Sequence, residues 1–211
     1  MVPMSYEIRS PLSPPVKPLL IILSGLSGAG KDSVLAGLQK SVYPLEYIIT
    51  VTTRPRRYNE KDGVHYTFVS PAKFQELVDS NQMLEWANVY GNWYGAPREP
   101  VKKALASGKD VIIKVDVQGA AAYKKLVPRA VFIFLAAPSI EECAPRLKQR
   151  STESPADLEL RLKTAREEME KLPIFDYLVI NRHNELDKAV ADIEAIIAAE
   201  KCRVTPREII L

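Results

Sequence analysis

The sequence predicts an α/β fold on a parallel β-sheet, and three observations predict it. Four apolar runs are continuous rather than alternating: "LLIILS" (19–24), "DVIIKVD" (110–116), "AVFIFLA" (130–136) and "FDYLVI" (175–180). Strands buried on both faces read this way. Helical stretches lie between or after them, at 117–126, 139–150, 155–172 and 184–200. Finally, "GLSGAGKDSV" (25–34) joins the first strand to a run with Val34, Leu35 and Leu38 at helical spacing. Such alternation implies right-handed crossovers.

Taken in order, residues 1–18 carry five prolines and read as an extended, flexible tail. The core occupies 19–49 and 97–199. Residues 50–96 interrupt the rhythm with two aromatic-rich strand candidates, "GVHYTFV" and "MLEWANVYGNWYG". Between them a short helix, 71–79, opens on Ser70-Pro71. This reads as a small mixed insertion. In the helix from 155, Ser154 caps, Pro155 suits the first turn, and Leu158, Leu162, Ala165, Met169 and Leu172 form one apolar stripe. Pro145 falls inside the stretch 139–150 and should kink it. Residues 200–211 are left as a C-terminal tail.

The 29 basic and 26 acidic residues of this 211-residue chain leave a net charge of only +3. That balance argues against broad nucleic-acid or membrane binding, so any anion site is local. Cys143 and Cys202 form no metal spacing and no disulfide framework, and His65 and His183 have no partners at metal spacing. No apolar run approaches the ~18 residues of a membrane helix. The N-terminal stretch lacks the apolar region of a signal peptide. A cytoplasmic protein is expected, as monomer or homodimer.

A strand, a glycine loop and a helix in succession suit a phosphate. The loop's backbone N–H groups and the helix N-terminus face the anion, and Lys31 reaches the terminal phosphates. Ser27, Gly28, Ala29, Gly30, Lys31, Asp32 and Ser33 form this nucleotide site. Asp32 stands where Ser or Thr is usual. An acid in a first helical turn can simply favour the helix dipole by ~0.3–1 kcal/mol. It can also ligate, directly or through water, a Mg2+ ion that accompanies the nucleotide. A second constellation, "TRPRRYNEKDGVHY", places Arg54, Arg56 and Arg57 within four residues, followed by Tyr66. Guanidinium forks with phenolic hydroxyls suit a phosphate monoester.

With these motifs the chain resembles the guanylate kinases. "SGLSGAGK", "TTRPRR…DGVHY", "LEWA…VYGN…YG" and "DVQGA" occur in that family's order, and the likeness runs from about residue 19 to 199. The resemblance implies the P-loop nucleoside monophosphate kinase fold: a parallel-sheet core, a GMP-binding insertion (50–96) and a helical lid (about 146–172). It implies ATP-dependent phosphorylation of GMP, and of dGMP, to the diphosphate. Arg54, Arg57, Tyr66 and Tyr94 would hold the GMP phosphate, with Glu60 in the same set. Glu85 would accept hydrogen bonds from guanine N1–H and the exocyclic amine, with Thr50 near O6. Asp116 would stand near the GMP, phosphates and Mg2+. Lys31, Arg54 and the lid residues Arg146, Arg150 and Arg161 would neutralise the charge in flight, and Asn181 would lie near the adenine. Closure over two anionic substrates implies an open ligand-free form.

The sequence departs from the family's pattern at four places. They are Asp32, Pro145, Ala96 where a guanine-touching Ser is common, and Lys114 where an acid is common. We expect Asp32 and Lys114 to compensate, one adding and one removing a charge beside Mg2+. Two rivals follow. "GKDS" also resembles ribose-bisphosphate phosphokinase, a sugar-phosphate kinase, which lacks the acceptor motifs. A non-catalytic guanylate-kinase-like protein-binding module would commonly have lost loop or lid residues that this chain keeps.

Overall fold

The computed structural model describes residues 17–41, 43–89, 91–139, 142 and 166–211. The expected helix at 139–150, Cys143, Pro145 and most of the lid, with Arg146, Arg150 and Arg161, lie outside the described residues.

Five parallel strands form the central sheet in the order β2-β7-β1-β8-β9. They are β1 (Leu20–Gly25), β2 (Leu45–Ile48), β7 (Asp110–Lys114), β8 (Val131–Ala136) and β9 (Tyr177–Ile180). Each expected run yields a strand of this sheet, and β2 is an addition. Successive residues of β1 face opposite sides. Ile21 and Leu23 pack under α1 (Lys31–Leu38) and the C-terminal helix α5 (Leu186–Lys201). Leu20 and Ile22 pack under α3 (Arg98–Ala106) and α4 (Val117–Leu126). Two buried faces explain why β1 reads as an unbroken apolar run.

The insertion forms a second, mixed sheet, β4-β3-β6-β5. Its strands are β3 (Val51–Thr52), β4 (Thr67–Phe68), β5 (Met83–Val89) and β6 (Asn92–Pro97). Helix α2 (Pro71–Asp79) lies between β4 and β5; Ser70 Oγ accepts from Lys73 N at 3.2 Å, and Pro71 opens the first turn. The strand expected over "GVHYTFV" shrinks to two residues. Gly63 has φ +70°, and Gly63 N donates to Tyr66 O, so the segment closes a turn on itself before it pairs with β3.

Between β5 and β6 the register shifts between Met83 and Glu85. This bulge lets Met83, Leu84 and Glu85 all be buried in succession, which a regular two-residue alternation would forbid. Residues 202–211 form no regular element yet are fastened to the core. Arg207 donates through Nε and Nη2 to the fully buried Glu200 carboxylate at 2.8 and 2.7 Å, and through Nη1 to Ala130 O.

Candidate active site

Gly25 ends β1 with φ +140° and lets the chain leave the sheet; a Cβ there would lie 1.9 Å from Leu135 O. Gly30 (φ +92°) then turns the loop into α1, over Asn181. Only glycine meets both demands, tight contact and a left-handed backbone. The loop thus lies across the C-terminal ends of β1 and β8, where ligands of open α/β sheets bind. Lys31 Nζ folds back to donate to Gly25 O (2.6 Å) and Leu26 O (3.1 Å). Burial pulls its pKa down, against the pull of Glu168 and Asp32.

Opposite the loop, across a cavity of about 440 Å³, stand Thr50, Arg54, Arg57, Tyr66, Glu85 and Tyr94. Arg54 is held on every arm. Nε donates to Tyr94 Oη (3.2 Å), Nη1 to Pro55 O (2.7 Å) and Nη2 to Glu60 Oε1 (2.7 Å), while Tyr66 and Phe68 take its carbon at 5.6 and 5.7 Å from their ring centres. Glu60 also accepts from Arg57 N (2.9 Å). Burial alone would raise its pKa; Arg54 and the Arg57 amide outweigh that and hold it below the usual range. Glu60 therefore fixes the arginines' geometry.

Glu85 is different. It is 7% exposed, and its Oε1 has no hydrogen-bond partner. Burial, with Asp116 nearby, pushes its pKa up to about 8. A buried carboxylate with an orphaned oxygen on a cavity wall awaits a donor. Ala96, its partner across the strand pair, is wholly buried in the core beneath it.

Between the two halves, Lys114 Nζ donates to Asp32 Oδ1 at 2.6 Å. The two unusual residues are thus one ion pair. Burial would lower the Lys114 pKa, yet Tyr66 and Asp32 raise it on balance. Asp116 caps α4, accepting from Gly119 N (2.9 Å) and Gln118 N (3.3 Å), and burial raises its pKa. Glu168 Oε2 accepts from the loop amide of Ser27 at 3.2 Å.

The cavity gathers Ser27, Gly28, Gly30, Lys31, Asp32, Thr50, Arg54, Arg57, Glu60, Tyr66, Glu85, Tyr94 and Asp116 from the sequence-predicted set. It does not include three others. Ala29 is buried, Ser33 is exposed beyond its rim, and Asn181 lies beneath the loop, donating from Nδ2 to Ala29 O at 2.8 Å. Of the lining residues outside that set, Lys114 and Glu168 are the charged ones. Lys114 carried a signal, as a cation in place of an acid. Glu168 carried none, because its contact spans 141 residues.

The family model described as Guanylate kinase matches residues 17–200. The guanylate kinase of Carboxydothermus hydrogenoformans is 42% identical over 187 residues, covering 89% of this chain and 91% of its own. That of Caldanaerobacter subterraneus is 44% identical over 88% of this chain and 89% of its own. Among solved structures, the guanylate kinase from Anaplasma phagocytophilum superposes with a TM-score of 0.70 at 27% identity, over 90% of this chain and 88% of the other. The fold, the two facing halves of the cavity and these likenesses agree: the chain belongs to the guanylate kinase family.

Proposed function

We propose that the cavity binds ATP on the glycine-loop side and GMP, or dGMP, opposite, and passes the γ-phosphoryl group directly between them. The observation that carries this reading is Glu85: a buried carboxylate with an unpartnered oxygen, across the cavity from an anion-binding loop. Guanine offers two adjacent donors, N1–H and the exocyclic amine, that would satisfy it. Thr50 lines the same wall. Arg54, Arg57, Tyr66 and Tyr94 take the GMP phosphate, with Glu60 holding Arg54 ready.

The acceptor phosphate oxygen is already a nucleophile, so no general base is needed. Positioning and charge neutralisation supply the catalysis. Lys31 leaves its carbonyl partners for the donor phosphates. Arg146, Arg150 and Arg161 of the lid converge on the transferred group as insertion and lid close.

Among the described residues no group of three or more His, Cys, Asp or Glu is placed to hold a metal. Asp32 and Asp116 line the cavity, and such a donor set suits a Mg2+ ion carried in on the triphosphate and touched by one or two carboxylates. Asp116, directly or through water, and Asp32 would face it. When bound, the ion would screen the phosphate charge. Among the described residues no helix is long and apolar enough to cross a membrane, which is consistent with a cytoplasmic enzyme acting on small molecules.

The test is ADP release from MgATP with GMP, dGMP, AMP, UMP and ribose bisphosphate compared at equal concentration. Turnover with the two guanine nucleotides and little with the others supports the reading. Turnover only with the sugar phosphate would overturn it.

A further inference from the structure

Among the described residues, four cationic side chains line the cavity: Lys31, Arg54, Arg57 and Lys114. Lys114 ends β7, and its Nζ stands at the seam between the two halves. On the donor side it bonds Asp32, the residue after Lys31, at 2.6 Å. On the acceptor side it lies 4.2 Å from the centre of the Tyr66 ring.

Neutralising Asp32 does not by itself call for this arrangement. The Asp32 side chain is 46% exposed, so a lysine from the surface could reach it, whereas the Lys114 side chain is only 12% exposed. Burying an ammonium is costly unless partners repay it. Lys114 is also close enough to Lys31 to feel its charge. Two cations brought to one sheltered cavity repel until an anion enters between them. A phosphoryl group crossing from loop to acceptor would be such an anion.

We infer that Lys114 is a catalytic cation of the transfer, its ammonium touching the equatorial oxygens of the moving phosphoryl group while Asp32 and Tyr66 hold it on that path. This rests on the reading of GMP as acceptor. In the step, an oxygen of the GMP phosphate bonds to the γ-phosphorus. The bond from that phosphorus to the bridging oxygen breaks, and ADP leaves with the electron pair. Negative charge spreads over the three equatorial oxygens as this happens. A fixed cation aimed at those oxygens lowers the barrier more than it tightens either substrate. A compact ammonium bonded to Asp32 and set against the Tyr66 ring is placed for that role.

The test compares wild type with Lys114→Met, Lys114→Arg and the double variant Asp32→Ser/Lys114→Met. Three readouts are taken: turnover of GMP, calorimetric affinities for GMP and ADP separately, and affinity for ADP, GMP and fluoroaluminate together as a mimic of the group in flight. Lys114→Met is expected to lose on the order of 10²-fold in kcat, with GMP and ADP affinities within about threefold. Its affinity for the fluoroaluminate complex should fall at least about tenfold. Lys114→Arg should retain more activity than Lys114→Met, and the double variant should be no faster than Lys114→Met. Near-normal kcat in Lys114→Met overturns the inference, and so does a loss fully accounted for by GMP or ADP affinity. Recovery in the double variant overturns it too, since Lys114 would then only neutralise Asp32. A wild type that leaves GMP untouched overturns the acceptor reading and this inference together; effects seen only on substitution concern Lys114 alone.

Discussion

The carboxylate of Glu168 accepts a hydrogen bond from the Ser27 amide at 3.2 Å, so the glycine loop holds one of the chain's own carboxylates. Glu168 lies within the expected lid, in the stretch where residues 166–169 are helical. A triphosphate arriving at the loop would meet this carboxylate on an amide suited to a phosphate oxygen. Glu168→Gln removes the competing charge while keeping the shape. It should bind a non-hydrolysable ATP analogue at least about tenfold more tightly, since charge-assisted hydrogen bonds contribute ~1.5–3 kcal/mol. Calorimetry checks this; equal or weaker binding would mean that the carboxylate does not compete with the nucleotide.

Burial of Glu85 carries a stability cost with a defined sign. Its folded pKa of about 8 lies above that of an unfolded carboxyl, so between pH 4.5 and 8 the folded chain binds more protons. Stability from this group is full below pH 4.5 and is lost as pH rises through 8. Glu85→Gln should match wild type in melting temperature near pH 5. By pH 9 it should be more stable, by on the order of 5 kcal/mol at ~1.4 kcal/mol per pKa unit. A difference that does not grow with pH would show that Glu85 is charged without penalty.

The Arg54–Glu60 pair should control acceptor affinity rather than donor affinity. Both side chains are mostly buried, at 14% and 10% exposed. Glu60→Gln leaves Arg54 without a charged partner and loosens its approach to Tyr94. GMP affinity should fall about tenfold or more, in line with ~1.5–3 kcal/mol for a charged hydrogen bond, with ATP-analogue affinity unchanged. Equal losses on both sides would point to general unfolding of the insertion.

Arg207 and Glu200 hold the C-terminal segment on the sheet. The Glu200 side chain is fully buried and also accepts from Tyr177 Oη at 2.6 Å. Burial would raise the Glu200 pKa, but Arg207 and Tyr177 outweigh it and keep it below the usual range. The stability it gives is present above about pH 4.5 and is lost as pH falls below that. Arg207→Met strands a buried carboxylate and should cost about 3 kcal/mol in urea unfolding at pH 7, with the loss shrinking toward pH 4. A cost under about 0.5 kcal/mol would show that the segment is dispensable.

Much of the site was legible because its chemistry is local. The glycine loop, Lys31 and the Arg54–Arg57 cluster are short runs marked by their residue types, and they meet at one cavity. Glu85 was legible only through its motif. The bulge that presents it arises from the register of β5 on β6, and no single residue announces that. Helix α3 escaped reading because Pro97 at its N-cap and Pro100 inside its first turn read as breakers, although a first turn tolerates proline, and its buried face is only Val101 and Ala104. Strand β2 escaped because "LEYI" is an edge strand, mostly half-buried, with no apolar run to mark it. Asp32 and Lys114 were each legible as oddities, and their pairing follows from α1 and β7 meeting beside the loop. The C-terminal segment read as a tail because Arg207 gives no hint of its buried partner.

The central claim, that Glu85 reads guanine, is tested most directly by GMP binding without ATP. Calorimetry with GMP and AMP on wild type and Glu85→Gln needs no turnover, and the melting temperature of the variant confirms that it is folded. Wild type should bind GMP and discriminate against AMP. Above about pH 8, where the Glu85 carboxylate is ionised, Glu85→Gln should lose about 100-fold in GMP affinity, because two hydrogen bonds to that buried charge are worth ~3 kcal/mol or more. A folded Glu85→Gln that binds GMP as wild type does would contradict the account.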